Sequence, residues 1–169
     1  MIVRIALFGT AALAAALLAA PAYADDCAAP IAAMRLAPTR SYTGTSITST
    51  HGGHTSTNQI VLVNGRLYLQ IGGAWRVSPM SAQQMLAMVN DNLKTSRMTC
   101  KRGGSETING QSTTIYMIHN VNQGFTSDNR VWISSAGVPV KTEVNMGADG
   151  GTIVSTFDYS HAAVPPGVK

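Results

Sequence analysis

Residues 60–71 constrain this chain most. They read Ile-Val-Leu-Val, then Asn64-Gly65, then Arg-Leu-Tyr-Leu-Gln-Ile. Two β-rich runs joined by Asn-Gly predict a two-residue hairpin with a type I′ turn, which needs positive φ at both central positions. Side chains alternate along a strand. In this register Ile60, Leu62, Leu67, Leu69 and Ile71 share one face, and Val61, Val63 and Tyr68 share the other. Both faces are apolar, so this sheet has to be covered on both sides or wrapped around an interior. Only one later segment reads as a long helix, which leaves few elements to act as covers. Curling the sheet around an interior answers that shortage, and the glycines at its turns permit the curvature.

The rest of the chain follows the same pattern. Residues 27–38 suggest a short helix ending before Pro38, and the Ser/Thr-rich stretch from Arg40 to Asn58 suggests one or two strands around Gly52-Gly53. After Gly72-Gly73, residues Ala74 to Val77 carry Trp75 back along the sheet. Ser78 and Pro79 suit the cap and first position of a helix running to Lys94, with Ala82, Met85, Leu86, Val89 and Leu93 as its apolar stripe. From Met98 onward the pattern is strands: Met98 to Arg102, a break at Gly103-Gly104, a hairpin at Asn109-Gly110, and a strong run from Ile115 to Ile118. Asn120 to Asn129 reads as a polar loop, followed by Arg130–Ser134, Val138–Met146 and Thr152–Tyr159. The expected fold is α+β: a curved antiparallel sheet of seven to nine strands, with one long helix and a short N-terminal helix on its concave face. A closed barrel or a sandwich is the alternative.

The first 24 residues read as an export signal. Arg4 gives a positive start, residues 5–20 are almost wholly apolar, Pro21 breaks the run, and Ala22-Tyr23-Ala24 forms a small-x-small cleavage site. The apolar run is short for a membrane span, and no later run is long enough. The expected domains are therefore a signal peptide over 1–24, cleaved after Ala24, one folded domain over 25–162, and a flexible tail over 163–169 with Pro165-Pro166-Gly167. Two cysteines, Cys27 and Cys100, lie beyond the cleavage site. In an oxidising compartment such a pair reads as a disulfide, and they lack the Cys-x-x-Cys spacing of a redox centre.

Charge and motifs narrow the function classes. The net charge of +4 becomes +3 once Arg4 is removed. Arg66, Arg76, Arg97, Lys101, Arg102, Arg130 and Lys141 are scattered, so the basic patch of a nucleic-acid binder is not predicted. His51-Gly-Gly-His54 could offer two imidazoles to a metal, but no further ligands lie near them in sequence, and no metal or cofactor is expected. Glu106, Asp128, Glu143, Asp149 and Asp158 form no acid–base pair, and no Gly-x-Ser-x-Gly elbow occurs. A non-enzymatic protein is expected. Met80, Met85, Met88 and Met98 gather around the helix, where they suit either an ordinary core or a wall that adapts to an irregular apolar ligand. Tyr68, Trp75, Tyr116 and Trp132 suit sheet packing or the rim of a cavity.

The order of these landmarks carries a resemblance. A hairpin with Gly65, Tyr68 and Trp75 precedes a helix. Cys100, Glu106, Asn109-Gly110, Tyr116 and Trp132-Ile133 come next. Gly137-Val138-Pro139 with Lys141 follows, and Phe157-Asp158-Tyr159 stands near the end. Over residues 40–166 this resembles exported bacterial proteins related to the periplasmic lipoprotein carrier and its outer-membrane receptor, the LolA/LolB-like superfamily. The resemblance implies an open, incomplete β-barrel closed by helices around an apolar cavity. It also implies a Gram-negative periplasm and acylated or lipid-like ligands. The expected function is a periplasmic binding protein for an acyl chain or similar hydrophobic ligand, with a hydrophobic small molecule or an acylated protein as partner. The alternative is an envelope protein with a packed interior that acts through surface contacts. Tyr68, Trp75, Met85, Met88, Val89, Tyr116 and Trp132 are the residues expected to line the cavity. An apolar cavity of several hundred Å³ would separate the two readings.

Overall fold

The computed structural model describes residues 26–50, 52–147 and 150–168. The predicted signal segment lies outside them, as does His51. In chain order the elements are helix α1 (Ala28–Leu36), a 3-10 turn (Ala37–Thr39), strands β1 (Tyr42–Ser49), β2 (Thr55–Val63), β3 (Arg66–Ile71) and β4 (Ala74–Ser81), helix α2 (Ala82–Thr95), and strands β5 (Ser96–Ile108), β6 (Gln111–Asn122), β7 (Phe125–Ser134), β8 (Pro139–Asn145) and β9 (Thr152–Asp158). The nine strands form one antiparallel sheet in the order β4-β3-β2-β1-β9-β8-β7-β6-β5. Strands β4 and β5 are its two ends and do not pair with each other, so the sheet stays open. The fold is the α+β open sheet expected, rather than a closed barrel or a sandwich.

The first hairpin forms in the register read from its alternation. Leu62 stands opposite Leu67 and Val61 opposite Tyr68. Asn64 and Gly65 take φ of 52° and 74°, as the turn requires. Leu62 and Leu67 pack with Tyr42, and Ala82 and Met85 of α2 cover them. Val61, Val63 and Tyr68 on the other face pack against Trp75, Ala162 and Val168. The second cover of the hairpin is thus the C-terminal segment, which was expected to be loose, and Pro165 within it is buried. Residues 161–165 belong to no strand or helix and Pro166-Gly167 form a turn, so the segment covers the sheet without a hydrogen-bond ladder of its own.

Three local readings differ from the structure. Strand β4 continues through Pro79, and α2 starts at Ala82. Its cap is Ser81, whose hydroxyl accepts from the Gln84 backbone N–H while the Gln84 side chain accepts from the Ser81 N–H. This reciprocal capping box, Ser-x-x-Gln, outcompetes the Ser78-Pro79 start. Strand β5 runs on through Gly103-Gly104, which mark a register shift between Arg102 and Ser105 rather than an end. Asn120 to Asn129 is not a loop: β6 and β7 extend through it as paired strands around Gln123-Gly124, with φ of 50° and 83°.

Both helices lie on the same face of the sheet. Ala33 of α1 packs on Ile118, Val131 and Ile133. A disulfide joins Cys27, at the start of α1, to Cys100 on β5 across 73 residues. Asp26 adds a second tie by accepting from the Arg102 backbone N–H at 2.8 Å. Arg35 of α1 then donates to the Asn90 side chain of α2 at 3.0 Å. A cross-link over a loop of this length contributes about 4 kcal/mol in the chain-entropy treatment. Replacing both cysteines by serine should therefore lower the unfolding free energy by about that amount. Urea unfolding with an unchanged midpoint would contradict this.

Near the centre of the sheet Tyr42 meets Phe157 edge-on, with ring centroids 5.4 Å apart, and Tyr159 at 5.5 Å. The Tyr159 hydroxyl donates to the Pro139 carbonyl at 3.0 Å. Burial pushes the Tyr42 phenol up, and burial together with Tyr42 pushes the Tyr159 phenol up further. A raised folded-state pKa means the native protein keeps protons that the unfolded chain releases. This contribution is present below the ordinary tyrosine range and is lost as pH climbs above about 10. An absorbance titration should show these two phenols ionising only with alkaline unfolding. Tyr159→Phe should cost about 1 kcal/mol at neutral pH and flatten the alkaline loss. Free titration of both phenols in the folded protein would refute this.

Candidate ligand-binding cleft

Alternation along β5 to β8 builds one wall of a cleft beneath the helices. Ser96 and Met98 of β5, Ile118, Asn120 and Asn122 of β6, Asn129 and Val131 of β7, and Thr142 and Val144 of β8 all point to the helix side. Met34 of α1 and Val89, Asn92 and Leu93 of α2 form the opposite wall. The cleft is half open and its volume is about 310 Å³, at the lower end of the range for small-molecule sites.

The cleft exists because α2 is not seated along its whole length. Its stripe Ala82, Met85, Leu86, Val89 and Leu93 turns inward as the periodicity requires, yet no residue of the helix is fully buried. At the Ala82–Met85 end the helix meets the packed cluster of Tyr42, Leu62 and Leu67. At the Val89–Leu93 end it faces the cleft instead.

The amide groups in the cleft wall are unusual. The side-chain oxygens of Asn120, Asn122 and Asn129 are closed off from solvent and have no hydrogen-bond partner. The Asn129 side-chain nitrogen donates to the Ser127 hydroxyl at 3.2 Å. A buried amide oxygen left without a donor costs about 1–3 kcal/mol. None of the lining residues is ionisable, so the cleft offers hydrogen bonding and apolar contact without acid–base groups.

Two other features compete for attention. A groove of about 420 Å³ crosses the opposite face of the same strands, lined in part by Lys101, Met117, His119, Asp128, Arg130 and Glu143. It is larger, but several of its polar side chains pair with one another: His119 Nδ1 lies 2.7 Å from Asp128 and Arg130 4.0 Å from Glu143. At the end of β9 the Ser160 hydroxyl touches both Asp158 and His161 Nδ1. The Asp158 carboxyl is held below its usual range, chiefly by the Ser160 side chain and backbone N–H. The Asp158 and His161 side chains are 50% and 87% exposed, so this cluster closes a turn in water and encloses no reacting group.

The residues proposed from sequence separate in space. Val89 lines the cleft. Met85 belongs to the Tyr42–Leu62–Leu67 cluster, and Met88 is 47% exposed. Tyr116 packs beside the cleft against the Ala33–Ile118–Val131–Ile133 cluster. Tyr68 and Trp75 pack on the opposite face with the C-terminal segment. Trp132 is buried, also on the opposite face; its indole N–H donates to Glu106, and the Lys141 ammonium sits 4.3 Å from the ring centre. His54 is exposed, and its partner in the His-Gly-Gly-His pattern lies outside the described residues. Sequence reasoning missed the three asparagines because a polar run was read as a loop. The signal available was Ile118-x-Asn120-x-Asn122 at period two, leading into Gln123-Gly124 as a hairpin turn.

Replacing Asn120 by leucine removes an unsatisfied amide and keeps the volume similar. The ligand-free protein should gain about 1–3 kcal/mol. A thermal melt that is lowered or unchanged would show that this amide has a partner in solution.

No protein-family model matches this sequence, and a search of curated proteins finds no match. Solved structures that match the chain include LprF from Mycobacterium bovis, 12% identical over 83% of this chain and 97% of that one, with a TM-score of 0.45. The MucA/MucB complex from Pseudomonas aeruginosa is 13% identical over 78% of this chain, with a TM-score of 0.42, and the match spans 56% of that chain. A LolA superfamily protein from Nitrosomonas europaea is 10% identical over 80% of this chain and 94% of that one, with a TM-score of 0.29.

Proposed function

We propose that this protein is a non-enzymatic binding module for an apolar, acyl-chain-bearing ligand, held between α2 and the inner face of the sheet. One observation carries the reading: the apolar stripe of α2 is left only half-buried over a half-open cleft of about 310 Å³. An interior filled by the protein's own side chains would bury that stripe. The occupant is a hydrophobic small molecule or the acyl group of an acylated protein. Exchange through the cleft would suit a role in handling envelope lipids or lipoproteins. The work would be done in the periplasm after removal of residues 1–24, a compartment that fits the Cys27–Cys100 disulfide.

The test is titration of delipidated protein with phenylnaphthylamine, an uncharged fluorophore. Saturable binding at micromolar concentration is expected. Val89→Trp projects a large ring into the cleft from α2 and should weaken binding about tenfold or more, equivalent to at least about 1.4 kcal/mol. Its melting temperature serves as the control for folding. Absence of saturable binding by the unmodified protein would leave a packed envelope protein acting through surface contacts as the better account.

A further inference from the structure

The cleft is blocked in one direction by the seat of α1. On three strands the next inward residue beyond the lining belongs to the cluster packed under Ala33. These are Cys100 beyond Met98 on β5, Tyr116 beyond Ile118 on β6 and Ile133 beyond Val131 on β7. Ala33 itself is 1% exposed, and the Cys27–Cys100 disulfide fixes its helix in that place. In the other direction the wall runs out at the Gln123-Gly124 hairpin, where Asn122 stands opposite Phe125. The end of α2 reaches the same hairpin, because Ser96, the residue after it, pairs with Asn122. Phe125 is 53% exposed there and Asn92 of α2 is exposed too. The half-open cleft thus closes towards α1 and opens beside the hairpin.

Its dimensions limit what can enter. The wall formed by β6 runs from Ile118 to Asn122, and four steps along a strand advance about 14 Å. An extended hydrocarbon chain advances roughly 1.3 Å per carbon, from bonds of about 1.5 Å set in a zigzag, so about eleven carbons cover that length. The volume leads to nearly the same count. At roughly 30 Å³ per methylene, the share that a water molecule takes in the liquid, about 310 Å³ holds about ten carbons. One chain uses the space, and a second of equal length has none. The lining carries no ionisable group, so a charged head would lose its hydration on entering without gaining a partner. The tail goes in and the head stays at the open side.

We propose that the cleft takes a single acyl chain of about ten to twelve carbons, tail first and stopped by Tyr116, and excludes the second chain of a diacyl lipid. This rests on the cleft being a ligand site, and the experiment separates the two claims. Bound phenylnaphthylamine is displaced from the full chain by straight-chain 1-alkanols of 6 to 16 carbons, an uncharged series that varies in length alone. Each added methylene should improve competition about fourfold up to about ten to twelve carbons, after which the gain stops. Dilaurin should compete no better than monolaurin. Tyr116→Ala should move the plateau to longer chains by at least about two carbons. Its fluorophore binding and thermal melt report folding, and Tyr116→Leu takes its place if the alanine variant is unfolded. Competition that climbs unbroken to 16 carbons, or that is flat across the series, overturns the length limit and leaves the apolar site standing. Dilaurin competing at least about tenfold better than monolaurin overturns the single chain. An unmoved plateau in a folded Tyr116 variant overturns the stop. If the fluorophore does not bind the unmodified protein, the ligand site falls and the length limit with it.

Discussion

The Cys27–Cys100 cross-link is the constraint from which the helix side of the molecule follows. It joins the N-cap of α1 to β5, a terminal strand of the sheet. Asp26 reinforces the attachment through the Arg102 backbone, and Ala33 seats α1 over Ile118 and Val131. From that anchored position Arg35 reaches Asn90 of α2. The long helix is therefore held at both ends, by the capping box and its packing on Leu62 and Leu67 at one, and by its neighbour helix at the other. It need not bury its whole stripe to stay in place. The covalent tie supplies stability that a fully packed interior would otherwise have to provide, and this makes an unfilled cleft tolerable.

The two faces of the sheet solve different problems. Around β1 to β3 both sides are closed, one by α2 and the other by the chain's own last residues. Around β5 to β8 the outer side carries paired charges and the indole of Trp132 under Lys141, while the inner side holds the asparagines. Polar residues on an inward face are costly in a core. They stand behind the cleft wall and not in the Tyr42–Leu62–Leu67 cluster, so the cost falls outside the packed part of the core.

How much of this could be read from the residues depended on which force set each element. The first hairpin, the α2 stripe and the disulfide were legible, because Asn64-Gly65, a helical period and a solitary cysteine pair each have one dominant physical consequence. The start of α2 was not, because Ser78-Pro79 and Ser81-x-x-Gln84 are both plausible starts and only the second completes a reciprocal bond. The strands through Asn120–Asn129 were hidden because tertiary pairing overrides a weak local preference. For the same reason the wall that alternation on β6 and β7 creates was hidden, while Val89 on the α2 stripe was legible from helical period. The docking of Val168 on Val61 and Tyr68 depends on how the ends of the chain meet, which no local pattern encodes.

An open sheet leaves two rows of backbone groups free to zip onto another molecule, a standing invitation to fibre growth. Here β5 is thirteen residues long and would be the greater hazard. It carries Arg97, Lys101 and Arg102, and its ladder is interrupted between Arg102 and Ser105. At the other margin β4 contains Arg76, an offset in its pairing with β3, and Pro79, which has no amide proton to give. Positive charge, irregular spacing and a missing donor are three separate ways to make a strand a poor template. Charge and irregular spacing on both margins, with the missing donor on β4 alone, let the sheet remain unclosed around its cleft without becoming a seed for assembly.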